Sequence, residues 1–446
     1  MIRIFIAVGV LIGFQVAGTQ ARDSDWLRFR GPNGTGVAAG ESSTPVTWSE
    51  TENLKWKLAL PGPGSSCPIV VGDRVFVTSW SGYAENLDDP GDQQQLKRHL
   101  TCVDRNSGAV VWTRDVAPYL PEDEYRGMFA ENGYASHTPV SDGEAVYVFF
   151  GKTGAVAFDM DGNQLWLTAV GTESGAKGWG SASSPILYDD LLIVTASAES
   201  ESMVALNKKT GEEVWRAEAS GFNSVWGTPV LVRVDDTRTD IVIGVPGEIW
   251  GFNPANGKLR WLCEGLGSNS FCSSVVAADG VIYALESGPS GGGGIAIRAG
   301  GKGDITDTHV VWSGRQSGRI GSPLVVDGKI YTFSRGVANC FSVADGEQLA
   351  KERMQASTAA EDPQRGGGRR RGRGGGQDYG SPIMADGKIY YTTRAGDTHV
   401  FGTGEKLQTL AVNRVTSERE DFSATPAISD GEIYLRSSKH LYCVAE

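Results

Sequence analysis

A phrase of short apolar runs and tight turns recurs along the chain. Each copy begins with a hydroxyl residue and Pro, continues through two or three apolar residues to a turn that usually contains Asp-Gly, and ends in an apolar, aromatic run. Three of its eight copies read SSCPIVVGDRVFVT, GSPLVVDGKIYTF and ATPAISDGEIYLR. Short apolar runs on both sides of such a turn predict pairs of antiparallel β-strands.

The Pro position of this phrase gives the period of the repeat. It is occupied in turn by Pro68, Pro139, Pro185, Pro229, Val275, Pro323, Pro382 and Pro426. Neighbouring members of this set are 71, 46, 44, 46, 48, 59 and 44 residues apart. A base period close to 46 residues is typical of propeller blades with four strands each. The sequence therefore predicts an all-β, eight-bladed β-propeller.

The second half of each unit carries a further pattern, a strand, a Gly turn and a strand that ends in Trp. It occurs as CVDRNSGAVVW and ALNKKTGEEVW. The Trp residues at its end are Trp112, Trp166, Trp215, Trp261 and Trp312. We expect each of them to dock on the neighbouring blade and bury a large apolar area. Ala350 and Leu410 stand at this position in the sixth and seventh units, which predicts weaker blade contacts there.

The chain ends before the eighth unit has an outer strand. Residues 53–60, NLKWKLAL, supply a matching strand with Trp56 at the docking position. A strand from the N-terminal region that completes the last blade would close the ring and remove exposed sheet edges. One further column holds small residues, which favours a core role for its three cysteines. Its members are Cys102, Ala157, Ala205, Gly251, Ala296, Cys340, Val400 and Cys443. A disulfide between Cys263 and Cys272, which flank one loop, stays open.

The composition excludes one class of partner and the N-terminus indicates a compartment. The net charge is −12, whereas a nucleic-acid-binding protein needs a basic surface. Residues 1–21 combine Arg3 with an apolar run of about 15 residues, which predicts a signal peptide cleaved near Ala21. The alternative, a membrane anchor, requires roughly 20 apolar residues. We therefore expect a periplasmic or secreted protein without a transmembrane span in the mature chain. Its predicted parts are the signal peptide (1–21), an N-terminal extension (22–52) and the propeller (53–446).

Insertions account for the blades that exceed the period. The first blade holds extra residues at 83–98 and 117–132, and a Gly-rich stretch interrupts the fifth blade at 288–303. Residues 355–378 form an insert that we expect to be disordered, because it contains RGGGRRRGRGGG at 365–376. Two interpretations of this run stay open, an arm that binds an anionic polymer and a tolerated solvated loop.

These repeats resemble the tryptophan-docking motif of the pyrroloquinoline-quinone (PQQ) propellers, also called quinoproteins. The stretch DWLRFRGPNGTGVAAG is also similar to the N-terminal region of exported bacterial PQQ-like repeat proteins. The resemblance covers roughly residues 25–446 and implies the fold but not the activity. It implies two classes of function, quinoprotein dehydrogenases that hold PQQ with calcium near the axis, and non-catalytic propellers similar to the outer-membrane protein assembly lipoprotein. The chain lacks the adjacent-Cys pair and the C-x-x-C-H haem motif of many of these dehydrogenases, and also the lipobox Cys of the lipoprotein.

Candidate site residues lie just before the innermost strands. The position before the Pro column holds Cys67, Thr138, Ser184, Thr228, Ser274, Ser322, Ser381 and Thr425. A hydroxyl here is expected to satisfy the backbone of the adjacent blade. The irregular residues farther upstream are Glu131, Asn132, Tyr134, His137, Trp179, Trp226, Asn269, Phe271, Arg319, Asp378, Tyr379, Asp421 and Phe422.

A planar quinone requires an aromatic floor and cationic partners for its carboxylates. The candidates for the floor are Trp179 and Trp226, and those for the cations are Arg319, Arg335 and Arg394. Asp378 and Asp421 are the weak candidates for a base or metal ligand, and no metal site is predicted otherwise.

Three functions stay open at this stage. The favoured hypothesis is a scaffold for protein partners in the cell envelope, without catalysis. The alternatives are a PQQ- and calcium-dependent dehydrogenase of an alcohol or sugar, and a carbohydrate-binding propeller.

Overall fold

The strands of the chain form eight separate sheets that follow one another around a common axis. The computed structural model describes residues 21–40, 42–85, 89–288, 291–316, 318, 320–355, 377–404 and 406–446. Seven sheets have four strands and one has five, and the strands that form the blades pair antiparallel. The predicted eight-bladed propeller is therefore confirmed. The predicted signal peptide and the Arg/Gly run at 365–376 lie outside the described residues.

The first four blades pair their strands in chain order. Blade 1 contains Ile69–Val71, Arg74–Ser81, Lys97–Asp104 and Val110–Val116. Blade 2 contains Val140–Ser141, Ala145–Phe149, Ala155–Asp159 and Gln164–Thr168. Blade 3 contains Ile186–Tyr188, Leu191–Ala196, Ser202–Asn207 and Glu213–Glu218. Blade 4 contains Val230–Arg233, Thr239–Val245, Gly247–Phe252 and Leu259–Leu266, with Gly303–Asp304 added at its outer edge.

The remaining blades follow the same plan until the last one, which takes a strand from the N-terminal region. Blade 5 contains Val276–Ala278, Val281–Gly288, Gly291–Arg298 and Val310–Gly314. Blade 6 contains Leu324–Val326, Lys329–Ser334, Val337–Ser342 and Gln348–Arg353. Blade 7 contains Ile383–Ala385, Lys388–Thr392, Thr398–Gly402 and Gln408–Asn413. Blade 8 contains Ala427–Ser429, Glu432–Arg436, His440–Val444 and Leu54–Ala59.

Helices are short and lie in the connections. The α-helical turns are Phe129–Asn132, Ser197–Ser200 and Thr306–His309. The 3-10 turns are Pro32–Gly34, Gln93–Gln95, Gly151–Thr153 and Ser220–Phe222. No helix within the described ranges has the length and apolar character that a membrane crossing requires.

The ring closes as the sequence predicts. Strand Leu54–Ala59 pairs antiparallel with His440–Val444, and Trp56 lies opposite Cys443. The indole Nε1 of Trp56 donates to the carbonyl of Arg105 in blade 1 at 2.9 Å. Its ring covers Gly108, where a Cβ would lie 2.6 Å from the indole. This turn therefore needs Gly both for its positive φ of 71° and for the close approach of the indole.

Four of the five other predicted Trp residues dock in the same way. The indoles of Trp112, Trp166, Trp215 and Trp312 donate to the backbone of the next blade at 3.1, 3.0, 2.9 and 2.8 Å. Each Trp is 8% exposed, so its apolar face is almost wholly removed from water. The predicted role of the Trp column is confirmed at these positions.

Trp261 also lies in the apolar cluster that joins blade 4 to blade 5, but the hydrogen bond of its indole is an exception. Its indole Nε1 donates to Asp240 Oδ2 at 2.8 Å, within its own blade. The Gly-rich insertion of blade 5 explains this difference. It sends Gly303–Asp304 back to pair in parallel with Trp261 and Leu262, so the place of a neighbouring Gly turn is taken by a fifth strand.

The docking column shifts by one residue in blade 7. Val400 pairs with Ala411 rather than with Leu410, which is 41% exposed. The hairpin from Val400 to Ala411 is one residue longer than the one from Cys340 to Ala350 in blade 6. An extra residue reverses which side chain faces the neighbouring blade.

The small-residue column lies beneath the Trp column and is buried. Cys102 pairs with Trp112 and Ala205 with Trp215, and both small residues are fully buried. Apolar clusters join each blade to the next, so the core is a set of layers between blades. All six cysteines, each of which is among the described residues, are thiols, and Cys263 and Cys272 form no disulfide.

Ring closure should depend on the indole of Trp56. We expect Trp56→Ala to lower the free energy of unfolding by about 3 kcal/mol, because a buried aromatic ring is lost and a cavity is left. Leu410→Ala, at the exposed position next to the true column, should change it by less than about 0.5 kcal/mol. Urea denaturation of the two variants measures both values, and equal effects would contradict the closure described here.

Candidate functional site

Eight residues join the innermost strands into a closed circle of hydrogen bonds. The backbone N–H of each donates to the side chain of its counterpart in the next blade, at 2.9–3.0 Å to a hydroxyl in seven cases. The last bond runs from the N–H of Thr425 to Cys67 Sγ at 3.2 Å. We call this set the axial ring: Cys67, Thr138, Ser184, Thr228, Ser274, Ser322, Ser381 and Thr425. The predicted structural role of the hydroxyls is confirmed.

Residues 25–38 close one end of the axis, and we call them the N-terminal plug. Trp26 forms a bridge with Val70 of blade 1, and Val37 forms one with Met384 of blade 7. The guanidinium of Arg28 donates to the carbonyl of Pro229 at 3.1 Å, and that of Arg30 donates to Pro323 at 2.6 Å. The plug therefore spans the propeller from blade 1 to blade 7.

Local chemistry fixes the tight course of the plug. Gly31 has a φ of 63°, and a Cβ there would lie 2.6 Å from the indole of Trp26. Only Gly adopts this positive φ readily and also leaves room for the indole, because it has no Cβ. Neither Arg28 nor Arg30 has a carboxylate within salt-bridge distance among the described residues, and burial lowers their pKa values to about 10 and about 9.

A cavity of about 140 Å³ lies on the axis between the plug and the opposite face. All eight axial-ring residues line it, and Phe29 of the plug forms its closed end. Residues that precede the axial ring along each chain segment line the other end, which we call the mouth. The mouth residues are Ser65, Met128, Glu131, Asn132, Ser136, Trp179, Ala182, Trp226, Cys272, Ile320, Tyr379 and Ser423.

Two of the predicted candidates, Trp179 and Trp226, meet at the mouth. Their ring centroids are 4.9 Å apart and the rings are tilted by 35°. The indole of Trp226 donates to the carbonyl of Gly180 at 2.8 Å, and the Nζ of Lys177 lies over both rings at 5.1 and 6.0 Å. Since the rings contact each other, they form one face and leave no slot between them.

Arg394 does not line the cavity, but it contacts two mouth residues and its charge is already paired. Its guanidinium contacts Glu131 at 2.7 Å and Asp421 at 2.6 Å, and lies 5.2 Å from the ring of Tyr379. Although burial opposes its charge, the two carboxylates raise the pKa of Arg394 above its ordinary value. The cluster links the insertion before blade 2 to blades 7 and 8.

The other predicted residues are not gathered at the cavity. Arg335 is exposed in the turn between the second and third strands of blade 6. Asp378 accepts a hydrogen bond from the backbone of Arg394 at 3.0 Å and does not line the cavity. Arg319 lies outside the described residues.

The described residues therefore do not offer PQQ and calcium the contacts that the sequence predicted. The cation that meets the cavity mouth is paired, and the aromatic pair presents a single face. Within the described ranges no three His, Cys, Asp or Glu side chains are close enough to hold a metal ion. The volume of about 140 Å³ is also below the roughly 300 Å³ at which ordinary ligand pockets begin.

A buried network supports the segment that carries Trp179. The hydroxyl of Ser181 donates to Glu199 Oε1, and His137 Nε2 lies 3.0 Å from that hydroxyl. Arg98 is close by, but Glu122 already pairs with it at 2.5 Å. Burial raises the pKa of Glu199 to about 7 and lowers that of His137 to about 3. The carboxyl group of Glu199 therefore gains or loses its proton near neutral pH.

The sequence reasoning missed the plug residues Phe29 and Arg30 and the insertion residue Met128. The run FRGPNGTG carried a signal, since closely spaced Gly residues beside Arg indicate a chain that passes tightly over other backbone. Its position on the axis depends on contacts with blades 1 to 7, which no local pattern encodes.

Comparison with known proteins assigns the chain to a family. Residues 96–347 match the family model described as outer membrane protein assembly factor BamB. The chain belongs to this family. BamB from Moraxella catarrhalis has a similar fold, with a TM-score of 0.58 and 12% identity over 88% of this chain and 97% of that one. The resemblance to PQQ-like and assembly-factor propellers is therefore confirmed.

Relatives outside the BamB proteins carry other functions. A quinohemoprotein alcohol dehydrogenase from Pseudomonas putida shares the fold, with a TM-score of 0.57 and 10% identity over 94% of this chain and 80% of that one. A polyvinylalcohol dehydrogenase from a Pseudomonas species is 23% identical over 252 residues. That match covers 47% of this chain and only 35% of the dehydrogenase. The membership in the BamB family thus fixes the fold and leaves the activity to be proposed.

The free energy of unfolding should depend on which atom accepts each hydrogen bond of the axial ring. We expect Ser322→Ala to lower the free energy of unfolding by about 1–3 kcal/mol, because the buried N–H of Ser274 loses its partner. Cys67→Ser should not lower it, since a hydroxyl is a better acceptor than sulfur for the N–H of Thr425. Urea denaturation compares the two, and a loss of stability in Cys67→Ser that equals the loss in Ser322→Ala would contradict this account.

The pH dependence of stability should report on Glu199. Its folded-state pKa of about 7 lies above its ordinary 4.5, so folding takes up a proton and stability falls as pH rises between these values. Glu199→Gln stays neutral, and its stability relative to the wild type should increase by up to about 3 kcal/mol across this interval. Denaturation at several pH values measures the difference. The exposed Glu173→Gln is the control, and a flat difference for Glu199→Gln would refute the assignment.

Proposed function

We propose that this propeller is a binding module that holds protein partners in the cell envelope. Two observations support the proposal, the membership in the BamB family and an ordered insertion beside the cavity mouth. The insertion consists of residues 117–132, which connect blade 1 to blade 2. It carries the proposal because it combines a rigid base with exposed apolar side chains.

The base of the insertion is an aromatic cluster of its own. Tyr134 contacts Trp80, Tyr83, Tyr125 and Phe129 with ring centroids 5.1–5.9 Å apart. Aromatic pairs at such distances add to the free energy of burial. These contacts hold the insertion in one conformation. The insertion therefore loses less conformational entropy when a partner binds.

The outer side of the insertion exposes apolar groups. Tyr119 and Leu120 are 45% and 37% exposed on this side, and Met128 is 42% exposed at the cavity mouth. The backbone N–H of Tyr119 donates to Thr153 Oγ1 at 3.0 Å, which anchors this strand of the loop to blade 2. Exposed apolar residues on a rigid support beside an aromatic mouth are typical of surfaces that bind other proteins.

Replacing two of these side chains should strongly reduce the capture of partner proteins without unfolding the protein. We expect the double variant Tyr119→Ser and Leu120→Ser to capture at least tenfold less partner from an envelope extract, the loss of about 1.4 kcal/mol or more that two buried contacts supply. Its stability should change by less than about 1 kcal/mol, because both positions are exposed. Quantitative cross-linking and mass spectrometry measure the capture.

The matched control replaces exposed apolar residues on outer strands. Leu165 and Val214 are 50% and 52% exposed and lie on the outer strands of blades 2 and 3, outside the insertion. The double variant Leu165→Ser and Val214→Ser should capture partners as the wild type does. The proposal is wrong if both double variants behave alike, or if no protein is captured at all.

A second candidate function rests on the polyvinylalcohol dehydrogenase match. It is a PQQ- and calcium-dependent oxidation of an alcohol. Titration of the protein with PQQ and calcium, followed by absorbance and dye reduction, separates it from the first proposal. Saturable PQQ binding with turnover of an alcohol would favour the enzyme, and its absence at micromolar PQQ would remove this candidate.

A further inference from the structure

Three side chains of blade 1 form a chain of hydrogen bonds away from the axial cavity. Ser81 Oγ lies 2.7 Å from His99 Nε2, and His99 Nδ1 lies 2.8 Å from Asp115 Oδ1. A hydroxyl, an imidazole and a carboxylate in this order and at these distances form the arrangement in which a serine acts as a nucleophile. None of the three residues lines the cavity or belongs to residues 117–132.

The pairing of three neighbouring strands brings these side chains together. His99 of the third strand lies opposite Ser79 of the second strand and Asp115 of the outer strand. Side chains two residues apart on a strand point to the same face of the sheet, so Ser81 shares a face with His99. Ser81 is then the diagonal neighbour of His99, a position from which polar side chains reach each other. The register of blade 1 therefore sets the order Ser81, His99, Asp115.

The partners of the imidazole decide where its proton lies. His99 is 5% exposed, and each of its ring nitrogens has one of the two partners. Because a carboxylate only accepts hydrogen bonds, Nδ1 of His99 carries the ring proton and donates it to Asp115. In the neutral imidazole, Nε2 then accepts from the hydroxyl of Ser81. This tautomer can take up the proton of Ser81 when that hydroxyl attacks a substrate.

An anionic oxygen already lies against the amide that follows Ser81. The backbone N–H of Gly82 donates to Glu85 Oε1 at 2.5 Å. The N–H that follows a nucleophilic serine is a known donor to the oxyanion of acyl transfer. The carboxylate of Glu85 therefore stands where such an oxyanion would be held. Ser81 is half-buried while Gly82 and Glu85 are exposed, so a substrate can reach the hydroxyl and displace this carboxylate.

The backbone at Gly62 limits the space beside Ser81. A Cβ added at Gly62 would lie 3.5 Å from Ser81 Cβ and would overlap the carbonyl oxygen of Trp80. The N–H of Trp80 donates to the carbonyl of Pro63 at 2.9 Å, which holds this segment against the strand. The space beside the hydroxyl therefore suits a small acyl group better than a large one.

We propose that Ser81, His99 and Asp115 hydrolyse esters of short carboxylic acids. Ser81 Oγ forms a bond to the acyl carbon while its proton passes to His99 Nε2, and His99 then protonates the alcohol as the ester C–O bond breaks. Water, activated by His99, next releases the acid and restores the hydroxyl of Ser81. Asp115 is a positioning residue that acts through His99. This activity does not depend on the proposed binding of partner proteins.

Labelling of the full-length protein with a biotinylated fluorophosphonate tests the nucleophile. The probe should attach once, to the peptide that contains Ser81, and the protein should hydrolyse p-nitrophenyl acetate with saturation. Ser81→Ala should abolish both reactions. Ser79→Ala, which removes a buried hydroxyl from the same strand, should retain both. Absence of labelling in the wild type, or labelling at another residue, would overturn the proposal whether or not the variants fold.

Variants of Asp115 test its positioning role. Asp115→Asn should lower the rate of fluorophosphonate labelling at least about tenfold, because an amide does not hold the same tautomer of His99. Asp115→Glu should restore part of that rate. Lys97→Gln removes the exposed cation 3.5 Å from Asp115 and should change the rate less than about twofold. Urea denaturation checks that each variant is folded, and a wild-type labelling rate in folded Asp115→Asn would refute the role of this residue.

Discussion

The bond between a buried N–H of one blade and the hydroxyl of the next holds the centre of this propeller together. At the axis the innermost strands are too far apart to pair as a sheet, yet their first backbone donors are removed from water. A Ser or Thr side chain at one fixed position in seven repeats, and Cys67 in the remaining one, satisfies the neighbouring N–H, and an unsatisfied donor there would cost about 1–3 kcal/mol. Eight such bonds form a circle that fixes the number of blades and the width of the axis. The Trp residues of the outer strands then join the neighbouring blades that this circle has positioned.

The sequence encodes this frame because its determinants are local and repeated. A hydroxyl before Pro, a Gly turn and a Trp recur at nearly constant spacing, so each blade can be read independently of the others. The pattern failed where an insertion changed the neighbour of a repeated residue, as at Trp261, or lengthened a hairpin, as before Ala411. The candidate site was only partly predictable for the same reason. Trp179 and Trp226 both stand shortly before the Pro position of adjacent repeats, whereas the pairing of Arg394 with Glu131 joins loops 263 residues apart.

The plug and the cavity change what the scaffold can do. In a bare propeller the axis is an open channel, but here a segment that belongs to no blade fills one end with Phe29. The cavity that remains has apolar walls, polar donors at its base and an aromatic mouth beside the insertion.

The pairing of Leu54–Ala59 with His440–Val444 has a consequence for how the chain is made. The plug and this strand precede all eight Pro positions in the chain, whereas several of their partners, among them Met384 and His440–Val444, are synthesised much later. The backbone of Leu54–Ala59 must therefore remain without its partner strand until nearly the whole polypeptide is available. Removal of His440–Val444 would leave Leu54–Ala59 without a strand to pair with.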